Sequence, residues 1–313
     1  MTSISRLGLG LTCVALAATL ACGRGRPQKF ATPEEAVAAL DKAAQQDTVQ
    51  DLQTLFGSES KALVELSDPA TARRNRQVFV VAMGEGWHLT DDTNGGKVLV
   101  VGNESWPFPV PLVKDGGQWR FDVAAGAEEV IGRRIGRNEL AVIRSCSTYV
   151  AAQRVYAARG HDGRPPGRYA KAFRSDPGRQ NGLYWPAARG EKFSPLGELV
   201  AEAAQDGQSL NTSRAGLNTS RPGPSPFHGY YFAILTAQGD SAPGGARDYV
   251  ADGEMTGGFA LVAWPAEYGV TGIMTFVVSD DGVVRQKDLG DQTFKVAGAL
   301  KRYDPDASWT NAN

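Results

Sequence analysis

The stretch from Trp264 to Arg285, WPAEYGVTGIMTFVVSDDGVVR, constrains the fold more than any other part of the chain. It reads as strand, tight turn, strand, turn, strand, with Gly269, Gly272 and Gly282 at the corners. Glycine suits such corners because it takes up positive φ without a Cβ penalty. Upstream, the run from Asn138 to Ala158 carries Val142, Ile143, Cys146, Tyr149, Val150 and Tyr156 three or four residues apart for most of its length. That spacing draws one apolar stripe along a helix, which must be buried against another layer. Asn138 reads as the cap that opens this helix. The expected fold class is α+β, with helices packed on curved antiparallel sheets.

The first half of the chain follows the same logic. Thr32-Pro33-Glu34-Glu35 is a helix start, with a Thr cap, Pro in the first turn and Glu three residues after the cap. Ala36, Val37, Leu40, Ala43 and Ala44 continue it as one apolar face, a second helix holds Val49, Leu52, Leu55 and Phe56, and a third runs from Pro69 to about Met83. The period then changes to strands at Trp87–Asp91, Lys97–Val101, Phe108–Val113 and Gln118–Val123, with Asn94-Gly95-Gly96 and Asp115-Gly116-Gly117 as hairpin turns. In the second half, strands are expected at Tyr230–Ala237, Gly257–Trp264, Gly272–Val278 and Val283–Lys287, before a closing helix from Gln292 to Tyr303.

The N-terminus reads as an export signal. Arg6 supplies the positive end, and Leu7 to Leu20 is apolar but too short to span a bilayer of about 30 Å as a helix. Thr19-Leu20-Ala21-Cys22 resembles a lipoprotein box, which makes Cys22 the expected site of acylation; the alternative is an ordinary secretory signal cleaved near Ala21. With Cys13 inside the signal and Cys22 at its edge, Cys146 alone lies in the folded body, so the one intramolecular disulfide left open is Cys22 with Cys146, and a disulfide scaffold is excluded. Mid-helix on the apolar stripe, Cys146 reads as a small core hydrophobe rather than a catalytic thiol.

The expected organisation is a signal segment over 1–22, a linker over 23–28, an α+β domain over 29–123 and a helical connector over 124–137. A second α+β domain follows over 138–304 with a long insertion at 159–228, and then a tail over 305–313. Short helices are expected in that insertion near Tyr169 and at Ser194-Pro195. It also holds a tandem duplication, LNTSRAG from Leu210 followed by LNTSRPG from Leu217, which is polar and reads as a surface loop. The connector's Glu128, Glu129, Arg133, Arg134 and Arg137 read as an interdomain salt-bridge network or a solvated face, with anion binding by the Arg cluster as the alternative.

A net charge of −1 supplies no field for nucleic acid or an anionic membrane, so the only membrane attachment expected is a lipid at Cys22. His88, His161 and His228 are scattered, and no CxxC, HExxH, phosphate-loop, GxSxG or GxGxxG pattern occurs. Asp280-Asp281-Gly282 reads as a turn between strands rather than a metal site. No catalytic residue, cofactor or metal is therefore assigned. The candidate binding surface is aromatic: Tyr184, Trp185, His228, Tyr230, Tyr231, Trp264 and Tyr268 all fall in or beside loops of the second domain. Exposed Trp and Tyr give large contact area at low entropic cost and can stack on sugars or anchor a protein.

Several phrases carry a resemblance. PLVKDGGQWRFD, from Pro111, is similar to the closing hairpin of the cone-shaped nuclear-transport-factor-2-like superfamily. The helix from Asn138 followed by the GVTG…F…GVVR sheet resembles the globular half of type IV pilins and pseudopilins. Across nearly the whole mature chain, QKFATPEEAV, WPFPVPLVKDGGQWRFD, IGRRIGRNEL, NGLYWPA, GYYFAILTAQG and GGFALVAWPAEYG resemble the bacterial envelope family called domain of unknown function 2950. The resemblance implies an exported, periplasmic protein with no established reaction, and an Asp-rich loop after the long helix. Here that loop is HDGRPPGRYA, with only Asp162 beside His161, far short of the roughly six oxygen ligands calcium takes.

Two functions follow as expectations. The first is a non-catalytic binding or assembly module for an envelope protein or a cell-wall glycan. The second is a periplasmic hydrolase with Asp91 or Asp92 and His88 in a dry pocket of the first domain, where burial shifts pKa values toward neutrality.

Overall fold

The structure is a computed structural model, and it describes residues 25–46, 49–58, 69–187, 193–196 and 226–312. The signal segment with Cys22 and the LNTSR duplication lie outside the described residues. The fold is α+β as expected, and it divides into two compact units, Met1–Ala127 and Glu128–Asn313.

In the first unit, helices α1 (Pro33–Gln45), α2 (Val49–Phe56) and α3 (Pro69–Glu85) precede strands β1 (Trp87–Asp91), β2 (Lys97–Val101), β3 (Trp106–Pro107), β4 (Leu112–Asp115) and β5 (Gln118–Phe121). Thr32 caps α1 as its sequence requires: its Oγ1 accepts from Glu35 N at 3.2 Å, while Glu35 Oε2 accepts from Ala31 N at 3.0 Å. The strands run in the order β1-β2-β4-β5, with β3 on β2, all antiparallel. Phe30 exchanges two backbone hydrogen bonds of 2.8 Å with Trp119, tying the entry of α1 to β5. Val37, Leu40, Leu99, Leu112 and Phe121 centre the core between helices and sheet.

Helix α4 runs unbroken from Val123 to Ala157. The separate connector and new helix start expected at Asn138 do not occur. No proline interrupts the run, and the Asn138 amide donates to Thr271 O at 2.8 Å instead of capping a helix. The charged stretch of α4 carries an ion pair along the helix itself, Arg133 Nε to Glu129 Oε1 at 2.7 Å, four residues apart.

The second unit is built on a sheet ordered β15-β13-β12-β11-β6, all antiparallel. Its members are β6 (Tyr230–Leu235), β11 (Ala260–Pro265), β12 (Met274–Ser279), β13 (Arg285–Asp288) and β15 (Thr310–Asn311). The α4 stripe of Val142, Cys146, Tyr149, Val150 and Tyr156 joins one core with Leu261, Ala263, Phe276 and Val278. Between Asn138 and that stripe, Glu139 Oε1 accepts from the backbone N–H groups of Ile273 and Met274, both at 2.9 Å. The GVTG corner is therefore anchored to the helix as well as turned by glycine.

Two smaller sheets were not expected. Strands β7 (Ala237–Gln238) and β8 (Arg247–Asp248) form one with β14 (Arg302–Tyr303), and β9 (Val250–Ala251) pairs β10 (Glu254–Met255) as a hairpin. The closing helix is shorter than expected. A single 3-10 turn at Gly290–Gln292 leads into α5 (Thr293–Gly298), and Arg302-Tyr303 pairs in parallel with Ala237-Gln238 as strand. Around Tyr169 there is no helix; its backbone bridges to Met255 instead.

Candidate functional site

The C-terminal end of α4 would leave carbonyl groups unpaired, and the loop that follows folds back to satisfy them. Gly167 N donates to Ala157 O at 2.7 Å, and His161 Nε2 bonds Tyr156 O at 3.0 Å. The His161 ring stacks on Tyr156 at 4.1 Å between centroids and meets the edge of Trp185 at 5.5 Å. His161 is therefore a capping group wedged between aromatic rings. Tyr156 donates through its hydroxyl to Gln180 O at 2.9 Å, and burial pushes that phenol's pKa up.

Deeper in, Gln153 fixes the middle of the same loop. It is fully buried, and its amide pairs with both backbone groups of Ala170 at 2.8 Å. The opposite wall is the β9–β10 hairpin, whose two connecting residues are Asp252 at φ 52° and Gly253 at φ 76°. Two successive positive φ values are those of a type I′ turn, for which Asp-Gly is a preferred sequence.

Between these walls lies a polar cleft of about 420 Å³. Arg164 Nη1 donates to Glu254 Oε1, and Arg168 Nε stands 3.7 Å from Glu254 Oε2. Lys171 Nζ donates to Gly253 O, while Arg179 Nε lies 3.4 Å from Asp162 Oδ2. Asp162, itself at φ 50°, also accepts from Gln180 N at 3.0 Å. Tyr156 and Tyr169 line the cleft, as does Asn181, whose amide accepts from Asp176 N at 2.9 Å and donates to Asp176 Oδ2 at 2.7 Å. The arrangement can grip a polar ligand of sugar size; the volume falls in the ordinary range for small-molecule sites, roughly 300–1,000 Å³.

The aromatic residues singled out in sequence do not form one surface. Trp185 is 6% exposed and Tyr230 is fully buried, so neither offers a face to a partner. Tyr230 is core because its hydroxyl finds Met274 O at 3.1 Å beneath the GVTG corner; Trp185 packs against His161. Half-buried Tyr184 lies beneath the Arg174 guanidinium at 5.5 Å. His228, at φ 49°, meets the edge of Phe227 at 4.1 Å, and burial with the nearby Arg144 charge holds its pKa below the usual imidazole range. Tyr231 and Trp264 are cross-strand partners with rings 5.9 Å apart, and Phe294, 61% exposed, sits edge-on to Tyr231 at 5.8 Å. Tyr268 donates to Asp288 Oδ2 at 3.2 Å.

In the first unit, His88 and Asp91 are both exposed on β1, and Asp91 pairs with Lys97. Three residues apart on a strand, they point to opposite faces. Asp92 Oδ1 accepts from Thr93 N at 2.7 Å within the turn. The dry acid–base pocket expected from these residues does not form.

Sequence reading passed over the cleft cations. A signal was present: from Arg159 to Arg179 the chain carries six cations against two aspartates. The Asp252-Gly253 hairpin signal was likewise legible. Among the described residues, no group of three or more His, Cys, Asp or Glu is placed to hold a metal ion, and no helix is long and apolar enough to cross a membrane.

Comparison with curated proteins gives no match, and comparison with solved structures gives none either. A family model matches residues 27–312, which takes in both units and every wall of the cleft, and the chain belongs to that family, described as "Protein of unknown function (DUF2950)".

Proposed function

We propose that this chain is an exported bacterial envelope protein, lipid-anchored through Cys22 on the periplasmic side, that acts as a non-catalytic binding module for a cell-wall glycan. The observation that carries the reading is the cleft of about 420 Å³ in the second unit, walled by guanidinium, carboxylate, amide and phenol groups. Such walls match a sugar, which presents hydroxyl groups for hydrogen bonding and C–H faces for aromatic contact. Its rigid scaffolding by Gln153 and the Asp252-Gly253 turn supports binding with little reorganisation.

The test is cross-linking in intact cells, followed by purification of the chain and mass spectrometry of what it carries. Glycan fragments attached to peptides from 156–182 or 252–254 are the expected result. Capture of nothing, or of glycan on the first unit alone, would sink the reading. Palmitate labelling that survives Cys22→Ser would remove the anchor but leave the cleft untouched.

A second reading is docking of an envelope protein, and one observation favours it: Tyr231, Trp264 and exposed Phe294 form a contiguous aromatic patch. In the same experiment, a single stoichiometric protein cross-linked at α5 or β6 would support it.

A further inference from the structure

We propose that the cleft of the second unit is an oxyanion site, built for a sugar-sized ligand that carries two negative charges as carboxylate or phosphoryl groups. The inference rests on the cleft being the ligand site and adds the charge of what enters it.

Charge is the first argument. Arg159, Arg164, Arg168, Lys171 and Arg179 line the cleft, facing Asp162, Asp252 and Glu254. Five cations against three carboxylates leave an excess of two positive charges, which a dianion neutralises. The chain as a whole is at −1, so the cleft is opposite in sign to the net charge of the molecule.

The second argument is how the cations are spent. Glu254 takes Arg164 on one oxygen and Arg168 on the other, and Asp162 takes Arg179. Lys171 is held by a neutral carbonyl, that of Gly253. Arg159 has no ion pair among the described residues, and Asp252 likewise forms none with these cations. A guanidinium offers five N–H donors, and Arg164, Arg168 and Arg179 each spend one, on Glu254, Pro165 O and Asp162. Arg168 Nε is itself buried with no hydrogen-bond partner, 3.7 Å being too long for one. The carboxylates thus orient the guanidinium groups while leaving most of their donors open. Preoriented donors around a positive centre suit oxyanions, which accept several charge-assisted hydrogen bonds at once.

The helix end does not oppose this. The α4 C-terminus carries partial negative charge, but the carbonyls of Tyr156 and Ala157 are already occupied by His161 and Gly167.

The test uses the purified mature chain at about 0.15 M ionic strength, where loose surface attraction is screened beyond roughly 8 Å. Inorganic phosphate, glutarate and glucose are titrated separately, with binding read by calorimetry and by NMR shifts of arginine Nε–H groups. Saturable binding of phosphate or glutarate at one site, without binding of glucose, is expected; which of the two binds tells phosphoryl from carboxylate. Arg159→Gln should weaken it about tenfold, the loss of one charge-assisted hydrogen bond. Asp252→Asn keeps a residue that tolerates positive φ and removes an opposing charge, so it should tighten binding severalfold. Arg174→Gln, which lies over Tyr184 outside the cleft, should change nothing.

Absence of saturable binding by both anions overturns the proposal, as does binding indifferent to Arg159→Gln and Asp252→Asn. Glycan capture in cells without anion binding in vitro leaves the glycan reading standing and this one refuted. Anion binding without glycan capture does the reverse.

Discussion

Gln153 and Ala170 exchange two hydrogen bonds of 2.8 Å, the side-chain amide of one closing on the backbone N–H and C=O of the other. Both residues are buried, and the same amide nitrogen reaches Tyr149 Oη at 3.1 Å, which donates in turn to Ala260 O. A helix, a loop and the central sheet are thereby joined through one side chain. Ala170 lies between Tyr169 and Lys171 of the cleft, so the lock fixes the site as well as the fold.

Gln153→Leu keeps the bulk and strands two buried backbone groups. The cost should be about 2–4 kcal/mol, the desolvation penalty for an unpaired donor and an unpaired acceptor. Urea unfolding of the mature chain, followed by tryptophan fluorescence, reads it. A loss below about 0.5 kcal/mol would show that water or a shifted loop replaces the amide.

Gly272 and Tyr230 make a second test. A Cβ on Gly272 would overlap the Tyr230 hydroxyl and ring edge. Gly272→Ala should destabilise by about 1–3 kcal/mol through overpacking. Tyr230→Phe deletes the overlapping oxygen and also the hydrogen bond to Met274 O, so each change alone is costly. Together they should cost less than their sum, and a double-mutant cycle measures the coupling. Strict additivity would mean that the corner moves aside.

The elements legible in sequence were those written locally. The Thr32 cap, the α4 stripe and the turn glycines each draw on a few neighbouring residues, and β1 and β2 fall on their expected bounds. What escaped was made by distant pairing. Strand β14 exists because Arg302 and Tyr303 meet Ala237 and Gln238, and two residues carry no periodicity to read. The cleft escaped for the same reason: Arg164 and Glu254 are 90 positions apart. The aromatic surface was overestimated because residue type does not report depth. Tyr230 and Tyr231 are neighbours on one strand, yet one is fully buried and the other shares a half-exposed patch with Phe294.

Cys146 supplies a reporter for the second unit. It is fully buried, and burial pushes its thiol from the ordinary value of 9.0 up to about 12. The thiolate is the reactive form, so the native protein should resist a disulfide reagent at pH 8 and react at the rate at which the unit opens. The raised value also has a sign for stability. Above pH 9.0 the unfolded chain loses this proton while the folded one keeps it, so the thiol's contribution is intact below that pH and declines as pH rises toward 12. Rapid labelling of the native protein would contradict the burial.

On the acid side, Asp115 of the first unit stands 2.9 Å from Lys29 Nζ and 3.3 Å from Arg120 Nε. The Lys29 hydrogen bond and charge, then Arg120, hold its carboxyl below the ordinary value of 3.8. A depressed carboxylate stabilises the fold above the unfolded value, and that contribution is lost as pH falls through the folded one. The pair binds the segment before α1 to the β4–β5 turn, next to the Phe30–Trp119 bridge, so its loss should loosen the N-terminal entry first. Asp115→Asn should leave urea midpoints near neutral pH little changed, because the group is exposed and screened by solvent. It should flatten the decline below pH 3.8 by the same small amount, since linkage makes the two effects one. A carboxyl NMR titration checks the cause directly: Asp115 should titrate at a lower pH in the wild type than in Lys29→Gln, and equal values in the two would remove Lys29 as the source.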